Sequence, residues 1–69
     1  MTKQREQAVR NSLTDRFIRE FTAAEHRQQA QVHYERETRL REACYATLAN
    51  GERSIKEHHT VAANVLEGK

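Results

Sequence analysis

The chain has 69 residues and a formal net charge of +2; 36% of its residues are hydrophobic, and it contains one cysteine, no proline and no tryptophan. We expect a single domain over residues 1–69, and a core this small usually needs a metal, a disulfide or a partner for support. The lone Cys44 excludes an intramolecular disulfide and a cysteine-based zinc site. No apolar run resembles a signal peptide or a membrane span, so the sequence predicts a cytoplasmic protein without membrane contact.

No residue between Thr2 and Ala49 interrupts a helix, and Asn50-Gly51 is the first pair that favours a left-handed helix end. The sequence therefore predicts an all-α fold, an uneven helical hairpin with a long helix over about 2–49 and a shorter one over about 52–67. Ser54 and Glu57 have the spacing of a capping box for the second helix.

Few residues between Glu25 and His33 are apolar. This leaves open whether the long helix breaks there.

Apolar residues recur every four positions along the first part of the long helix, which predicts an apolar face. The predicted second helix is too short to reach Phe17, and four large side chains left in water would forgo about 8 kcal/mol. We therefore expect a partner to cover this face, either a second copy of the chain or a groove on a larger protein. The predicted protein interface comprises Val9, Leu13, Phe17, Ile18, Phe21 and Ala24.

A second set of apolar residues is expected to join the two helices. Cys44 in this set is predicted to be a small buried hydrophobe rather than a nucleophile, because a two-helix protein offers no cavity for an oxyanion site. The predicted hairpin core comprises Leu40, Cys44, Tyr45, Leu48, Ile55, Ala62 and Leu66.

The histidines do not form a recognisable metal site. Adjacent His58 and His59 point about 100° apart on a helix. His33 and Glu37 have chelating spacing but supply only two ligands. We predict no catalytic residues, no metal, no cofactor and no small-molecule substrate.

Four arginines lie within about 80° of one another on the predicted long helix, over roughly 33 Å. Such a row could follow the phosphates of RNA or DNA. However, Glu20 borders the same face, and the other arginines alternate with glutamates as they do on solvated helices. The row comprises Arg5, Arg16, Arg19 and Arg27.

Two short segments resemble the start of the Rop family of plasmid copy-number regulators: Met-Thr-Lys-Gln at the beginning of the chain and Arg-Phe-Ile-Arg at Arg16–Arg19. Members of that family are helical hairpins whose dimer binds paired RNA loops. The resemblance implies that Lys3 and Phe17 contact RNA. It needs a gap between the segments, it ends at Arg19, and the predicted turn falls much later than in Rop.

Taken together, these features predict a non-enzymatic interaction protein, an adaptor or inhibitor that forms a homodimer and binds a larger cytosolic protein. Accessory proteins of phages and mobile elements share this size and composition. The alternative is a dimeric RNA- or DNA-binding regulator that uses the arginine row.

Overall fold

Four α-helices make up the fold, and no strand occurs among the residues that the computed structural model describes, 2–69. Helix α1 spans Lys3–Ser12, α2 spans Asp15–Arg19, α3 spans Ala23–Glu42 and α4 spans Ala46–Leu66. The all-α class and the helical hairpin are therefore confirmed. The helix boundaries differ from those predicted.

Threonine side chains begin the first three helices. The hydroxyl oxygens of Thr2, Thr14 and Thr22 each accept a hydrogen bond from the backbone N–H three residues later. At Thr22 the bond is reciprocal, because the Glu25 carboxylate accepts from the Thr22 N–H at 3.0 Å. This capping box satisfies backbone donors that the first helical turn leaves free.

The hairpin consists of α3 and α4, joined by residues 43–45 and packed along their lengths. On each helix, one row of buried or half-buried residues is spaced alternately by three and four, as in a coiled coil. Unlike a coiled coil, this seam contains few large apolar side chains. Its residues are His26, Ala30, His33, Glu37 and Leu40 on α3, and Ala49, Glu52, Lys56, His59 and Ala63 on α4.

Helices α1 and α2 fold back onto the second half of α4. Arg5 on α1 donates a 2.8 Å hydrogen bond to the Glu57 carboxylate. Asn64 donates to Glu6, although at 3.4 Å that bond is long. The buried apolar residues are all small or β-branched: Val9, Ala49, Val61, Ala62 and Ala63. The side-chain contacts that α1 and α2 make with α4 fall at Glu57 and beyond it, whereas Lys56 bonds to Glu37 on α3.

The prediction of one helix over 2–49 is wrong, because the Thr14 and Thr22 caps divide that segment. The prediction of a turn at Asn50-Gly51 is also wrong, since both residues lie inside α4. A glycine inside a helix costs about 1 kcal/mol, which the packing of the neighbouring Ala49 and Glu52 against α3 offsets. Ser54 and Glu57 lie in mid-helix and form no capping box. Helix α3 is continuous through Glu25–His33.

Cys44 occupies the left-handed position after α3, with φ of 66°. The Cys44 N–H donates to the Arg41 carbonyl and the Tyr45 N–H donates to the Leu40 carbonyl, which together define a Schellman motif. The same pair of bonds ends α4, where Gly68 takes the left-handed position with φ of 75°. The first of these turns therefore forms without the glycine that usually marks it, and Cys44 is exposed rather than buried as predicted.

Thr22→Ala should lower the free energy of unfolding by about 1 kcal/mol, because it removes the side-chain half of the capping box. Urea unfolding followed by circular dichroism measures this loss. The matched control is Thr38→Ala in the same helix, where the exposed hydroxyl bonds only to the Tyr34 carbonyl. Equal losses in the two variants would contradict the role assigned to the cap.

Cys44→Gly should raise the free energy of unfolding by about 0.5–1 kcal/mol, because glycine adopts a positive φ without the Cβ penalty but loses more chain entropy. Cys44→Ala provides the control, since it also removes the thiol but keeps the Cβ. The same denaturation experiment should show no gain for the alanine variant. A gain in both variants would mean that the thiol, and not the backbone conformation, is unfavourable.

Candidate functional site: an open groove beside a buried histidine pair

The polar centre of the molecule is a pair of histidines that joins α3 to α4. His26 is fully buried and His59 is 6% exposed. Their Nδ1 atoms lie 2.9 Å apart, and His26 Nε2 lies 2.9 Å from the Ile18 carbonyl oxygen on α2. The pair therefore connects three helices.

The hydrogen-bond partners determine where the protons of the pair can lie. A carbonyl oxygen only accepts, so His26 Nε2 carries a proton and donates to Ile18. Two N–H groups cannot face each other at 2.9 Å, so a single proton lies between the two Nδ1 atoms. It follows that the pair carries at most one positive charge.

Aromatic rings from the α2 region close over the histidines. Phe17 lies 5.3 Å from His26 and 5.1 Å from His59 between ring centroids, and Phe21 lies 5.2 Å from His26. On the α3 side the ring of His33 stacks on His59 at 5.9 Å. His33 Nδ1 in turn bonds to the Glu52 carboxylate.

Burial, and after it the charges of the nearby His26, His33 and His58, together lower the pKa of His59 from its usual 6.5 to about 4. His59 is consequently neutral at physiological pH. No group of three ligating residues suited to a metal ion occurs within residues 2–69. Because solvent scarcely reaches the pair, we assign it the structural task of fastening α2 to the hairpin.

The predicted apolar face of the first segment lies against the rest of the chain. Val9 is buried; Leu13, Phe17, Ile18 and Phe21 are half-buried; only Ala24 is exposed. The expectation that α4 cannot reach Phe17 is wrong, because the breaks at Thr14 and Thr22 let the chain fold back and the Phe17 ring lies 5.1 Å from that of His59. A partner was predicted because no other part of the chain was expected to cover this face. Because the chain itself covers most of it, that reason no longer holds.

The predicted hairpin core is wrong for all its residues except Leu40, which is half-buried, and Ala62, which is fully buried. Because α4 begins at Ala46, Cys44 and Tyr45 fall in the turn. On α4 the seam passes through Ala49, Glu52 and Lys56, one position away from the predicted apolar residues. The exposed members are Cys44, Tyr45, Leu48, Ile55 and Leu66.

Two of these exposed residues, Leu48 and Ile55, lie on α4 beside an open groove near the turn of the hairpin. Arg36, Arg39, Leu40 and Glu52 line a surface depression of about 360 Å³. On α4, Leu48 lies four residues before Glu52 and Ile55 three after it, so both share its face. Leu48 is 60% exposed and Ile55 is 43% exposed. We call this surface, comprising Arg36, Arg39, Leu40, Leu48, Glu52 and Ile55, the turn groove.

The turn groove has a positively charged rim. Both Arg36 and Arg39 are exposed, and neither side chain forms an ion pair or hydrogen bond within residues 2–69. The one acidic residue that lines it, Glu52, bonds to His33. Apolar side chains and unpaired arginines therefore lie side by side.

Two buried glutamates, Glu37 and Glu57, are paired with basic side chains inside the molecule. Burial raises the pKa of Glu37, but hydrogen bonds from Arg41 and Lys56 outweigh it and hold that pKa below its ordinary value. Glu57 similarly bonds to Arg5 and lies 3.8 Å from Arg53. These carboxylates are committed to the fold.

The predicted arginine row does not form on one helix. Arg5 lies on α1 and pairs with Glu57, whereas Arg27 lies on α3 and pairs with Glu67. Arg16 and Arg19 are exposed on α2. The row is divided for the same reason as the predicted long helix, namely the caps at Thr14 and Thr22.

The Rop-like segments also occupy a different structural context from a two-helix hairpin. Arg16–Arg19 belongs to the short helix α2, and Phe17 packs against buried histidines instead of facing outward. Lys3 begins α1 and is exposed. Met1 lies outside the described residues.

Sequence signals for these features were present. The sequence Thr22-Ala-Ala-Glu25 is a capping-box signature, and Thr14-Asp15 is a typical helix start. His26, His33 and His59 lie at seam positions of the three-and-four pattern. That pattern becomes visible only when histidine, alanine and charged residues are counted together with the apolar ones.

No protein-family model matches this chain, and neither a curated protein nor a solved structure shows significant similarity to it. Across residues 2–69, no helix combines the length and the apolar character required to cross a bilayer.

Acidification from about pH 6.5 to about pH 4 should destabilise the fold, because the unfolded chain protonates His59 while the folded chain, with its lowered pKa of about 4, does not. The free energy of unfolding is unaffected by His59 above the unfolded pKa, falls as the pH drops between the two pKa values, and levels off below the folded pKa. The loss reaches about 3 kcal/mol. Urea unfolding at about pH 7 and about pH 4 measures it.

Substitutions of the two neighbouring histidines provide the controls for this pH dependence. His59→Leu should reduce the change in the free energy of unfolding between about pH 7 and about pH 4. At neutral pH this variant is less stable than the wild type, because His26 Nδ1 has no hydrogen-bond partner. His58→Gln should keep the slope, since that ring is only half-buried and bonds to the Ser54 carbonyl. An unchanged slope in His59→Leu would contradict the assignment.

Proposed function

We propose that this chain is a non-enzymatic adaptor or inhibitor that binds a larger cytosolic protein through the turn groove. The observation that supports it is the exposure of Leu48 and Ile55 on a helix face that α3, α1 and α2 leave uncovered. Large apolar side chains gathered on one exposed surface, bordered by charged residues, are typical of protein-binding sites.

The location of the groove strengthens this proposal. Helices α1 and α2 cover the second half of α4, so the apolar residues there are used to hold the fold together. The first half extends beyond these two helices, and its large apolar residues, Leu48 and Ile55, remain exposed. A partner could therefore bind there without unfolding any part of the hairpin.

The proposed binding surface differs from the one predicted from sequence. The stripe from Val9 to Phe21 supports the fold from within, so the turn groove takes its place as the binding surface. Homodimerisation, like a phage or mobile-element origin, stays a prediction; light scattering across a dilution series tests the dimer. RNA or DNA binding loses its main support, since the arginine row is divided among three helices and two of its members are paired.

Leu48→Asp and Ile55→Asp should each weaken binding of the target at least about tenfold, because a charge placed in an apolar contact remains desolvated. The experiment captures proteins on tagged chain from lysate of the cells that carry it, identifies them by mass spectrometry, and compares wild type with each variant. Affinity is then measured with the purified target. Folding should change by less than about 0.5 kcal/mol, since both side chains are exposed.

Leu66→Asp is the matched control, because Leu66 is also on α4 and is 42% exposed, compared with 43% for Ile55. It lies at the far end of the helix, away from the turn groove. Target binding should survive this change. Equal loss from Ile55→Asp and Leu66→Asp, or no loss from either, would reject the turn groove as the binding surface.

A further inference from the structure

We propose that the turn groove binds an acidic amphipathic helix of the partner, with carboxylates of that helix placed against Arg36 and Arg39. This inference rests on the proposed function and names the chemistry of the segment that is bound. Three features of the molecule support it: the length of the groove, an internal example of the same packing, and the unbalanced charge of the rim.

The length of the groove suits about two helical turns. Leu48 and Ile55 are seven residues apart on α4, which corresponds to roughly 10 Å along the helix axis. Apolar residues spaced by three or four on a bound helix fall on one face of that helix. That face would lie against Leu40, Leu48 and Ile55. An extended strand would find no sheet edge to pair with, since residues 2–69 contain no strand.

The chain already packs a short helix across α3 and α4. Helix α2, together with the Phe21 that follows it, presents Phe17 and Phe21, four residues apart, to His26 and His59. Nearer the turn, the hairpin has no such helix over it. Leu40, Leu48 and Ile55 offer there the apolar surface that a second short helix would cover.

The charge of the rim selects the chemistry of that helix. Arg36 and Arg39 have no acidic partner in residues 2–69, and Glu52 is held by His33. Carboxylates on one edge of a bound helix would form charge-assisted hydrogen bonds with both guanidinium groups. A lysine-rich helix would instead bring like charges together.

The same charges disfavour a second copy of this chain as the occupant. A twofold dimer uses the same surface on both copies, so pairing the turn grooves would bring the two sets of Arg36 and Arg39 to one interface. Like charges placed together there lower affinity. The partner is therefore a different protein.

The test uses two synthetic peptides and the full-length chain. The acidic peptide is a fluorescein-labelled helical peptide with leucines spaced by three and four on one face and glutamates along both edges. The basic peptide replaces each glutamate with lysine. Circular dichroism establishes that both are helical, and fluorescence anisotropy at low salt measures binding. We expect the acidic peptide to bind at least about tenfold more tightly than the basic one, with added salt reducing the difference.

Charge reversal at the rim provides the decisive comparison. The double variant Arg36→Glu/Arg39→Glu should favour the basic peptide. Lys3→Glu/Arg10→Glu changes the net charge equally but alters a different surface, where Lys3 and Arg10 lie near Gln7 and Lys69. This control variant should keep the preference for the acidic peptide. Leu48→Asp should weaken binding of the acidic peptide at least about tenfold.

Several results would overturn the inference. Equal binding of the two peptides, binding of neither, or a preference that reverses in Lys3→Glu/Arg10→Glu would each reject an acidic helix held by the rim arginines. A concentration-dependent dimer that Leu48→Asp dissociates would make a second copy the occupant. Tight binding of duplex RNA that depends on Arg36 and Arg39 but not on Leu48 would assign the rim to nucleic acid.

These results are distinct from failure of the proposed function. If neither peptide binds, yet Ile55→Asp still abolishes capture of the target while Leu66→Asp does not, the turn groove binds a protein of different chemistry. If the peptides bind as expected but Ile55→Asp does not weaken binding of the target, the target binds to another surface of the chain.

Discussion

The contact between His26 Nδ1 and His59 Nδ1 is the interaction on which the arrangement of the helices depends. It joins the two helices of the hairpin at 2.9 Å, and the paired rings form the surface on which Phe17 and Phe21 pack. His26 also holds α2 in place, because its Nε2 donates a hydrogen bond to the Ile18 carbonyl. The completely buried apolar residues are alanines and one valine, so polar contacts must supply much of the specificity that large apolar side chains usually provide.

A core of this kind has a cost and a benefit. Polar groups in the seam require partners, and the structure provides them: Glu37 bonds to Arg41 and Lys56, and within residues 2–69 no buried side-chain nitrogen or oxygen lacks a hydrogen bond. Alanines between these groups let the helices approach closely. In return, Leu48 and Ile55 remain on the surface, where the proposed partner would bind. Stability and binding thus use different residues of α4.

Much of the architecture followed from composition, while the boundaries did not. Abundant helix formers and the absence of proline predicted an all-α hairpin, and the structure confirms it. The helix boundaries, however, did not follow the local signals that looked strongest in the sequence. The caps at Thr14 and Thr22 divided the first segment, Gly51 continued as helix, and Cys44 adopted the left-handed conformation. For Gly51 and Cys44, packing of the seam outweighed local conformational preference, which amounts to only about 1 kcal/mol per residue.

The sequence by itself determined the helical class, the threonine caps and the three-and-four spacing of the seam, because these depend on residues near one another along the chain. Tertiary structure alone decided which apolar residues are buried. The stripe from Val9 to Phe21 became buried or half-buried because α1 and α2 fold back onto α4. Leu48 and Ile55 became exposed because the seam runs one position away from them. Both outcomes depend on contacts between distant residues, such as His26 with His59 and Arg5 with Glu57, which no local pattern specifies.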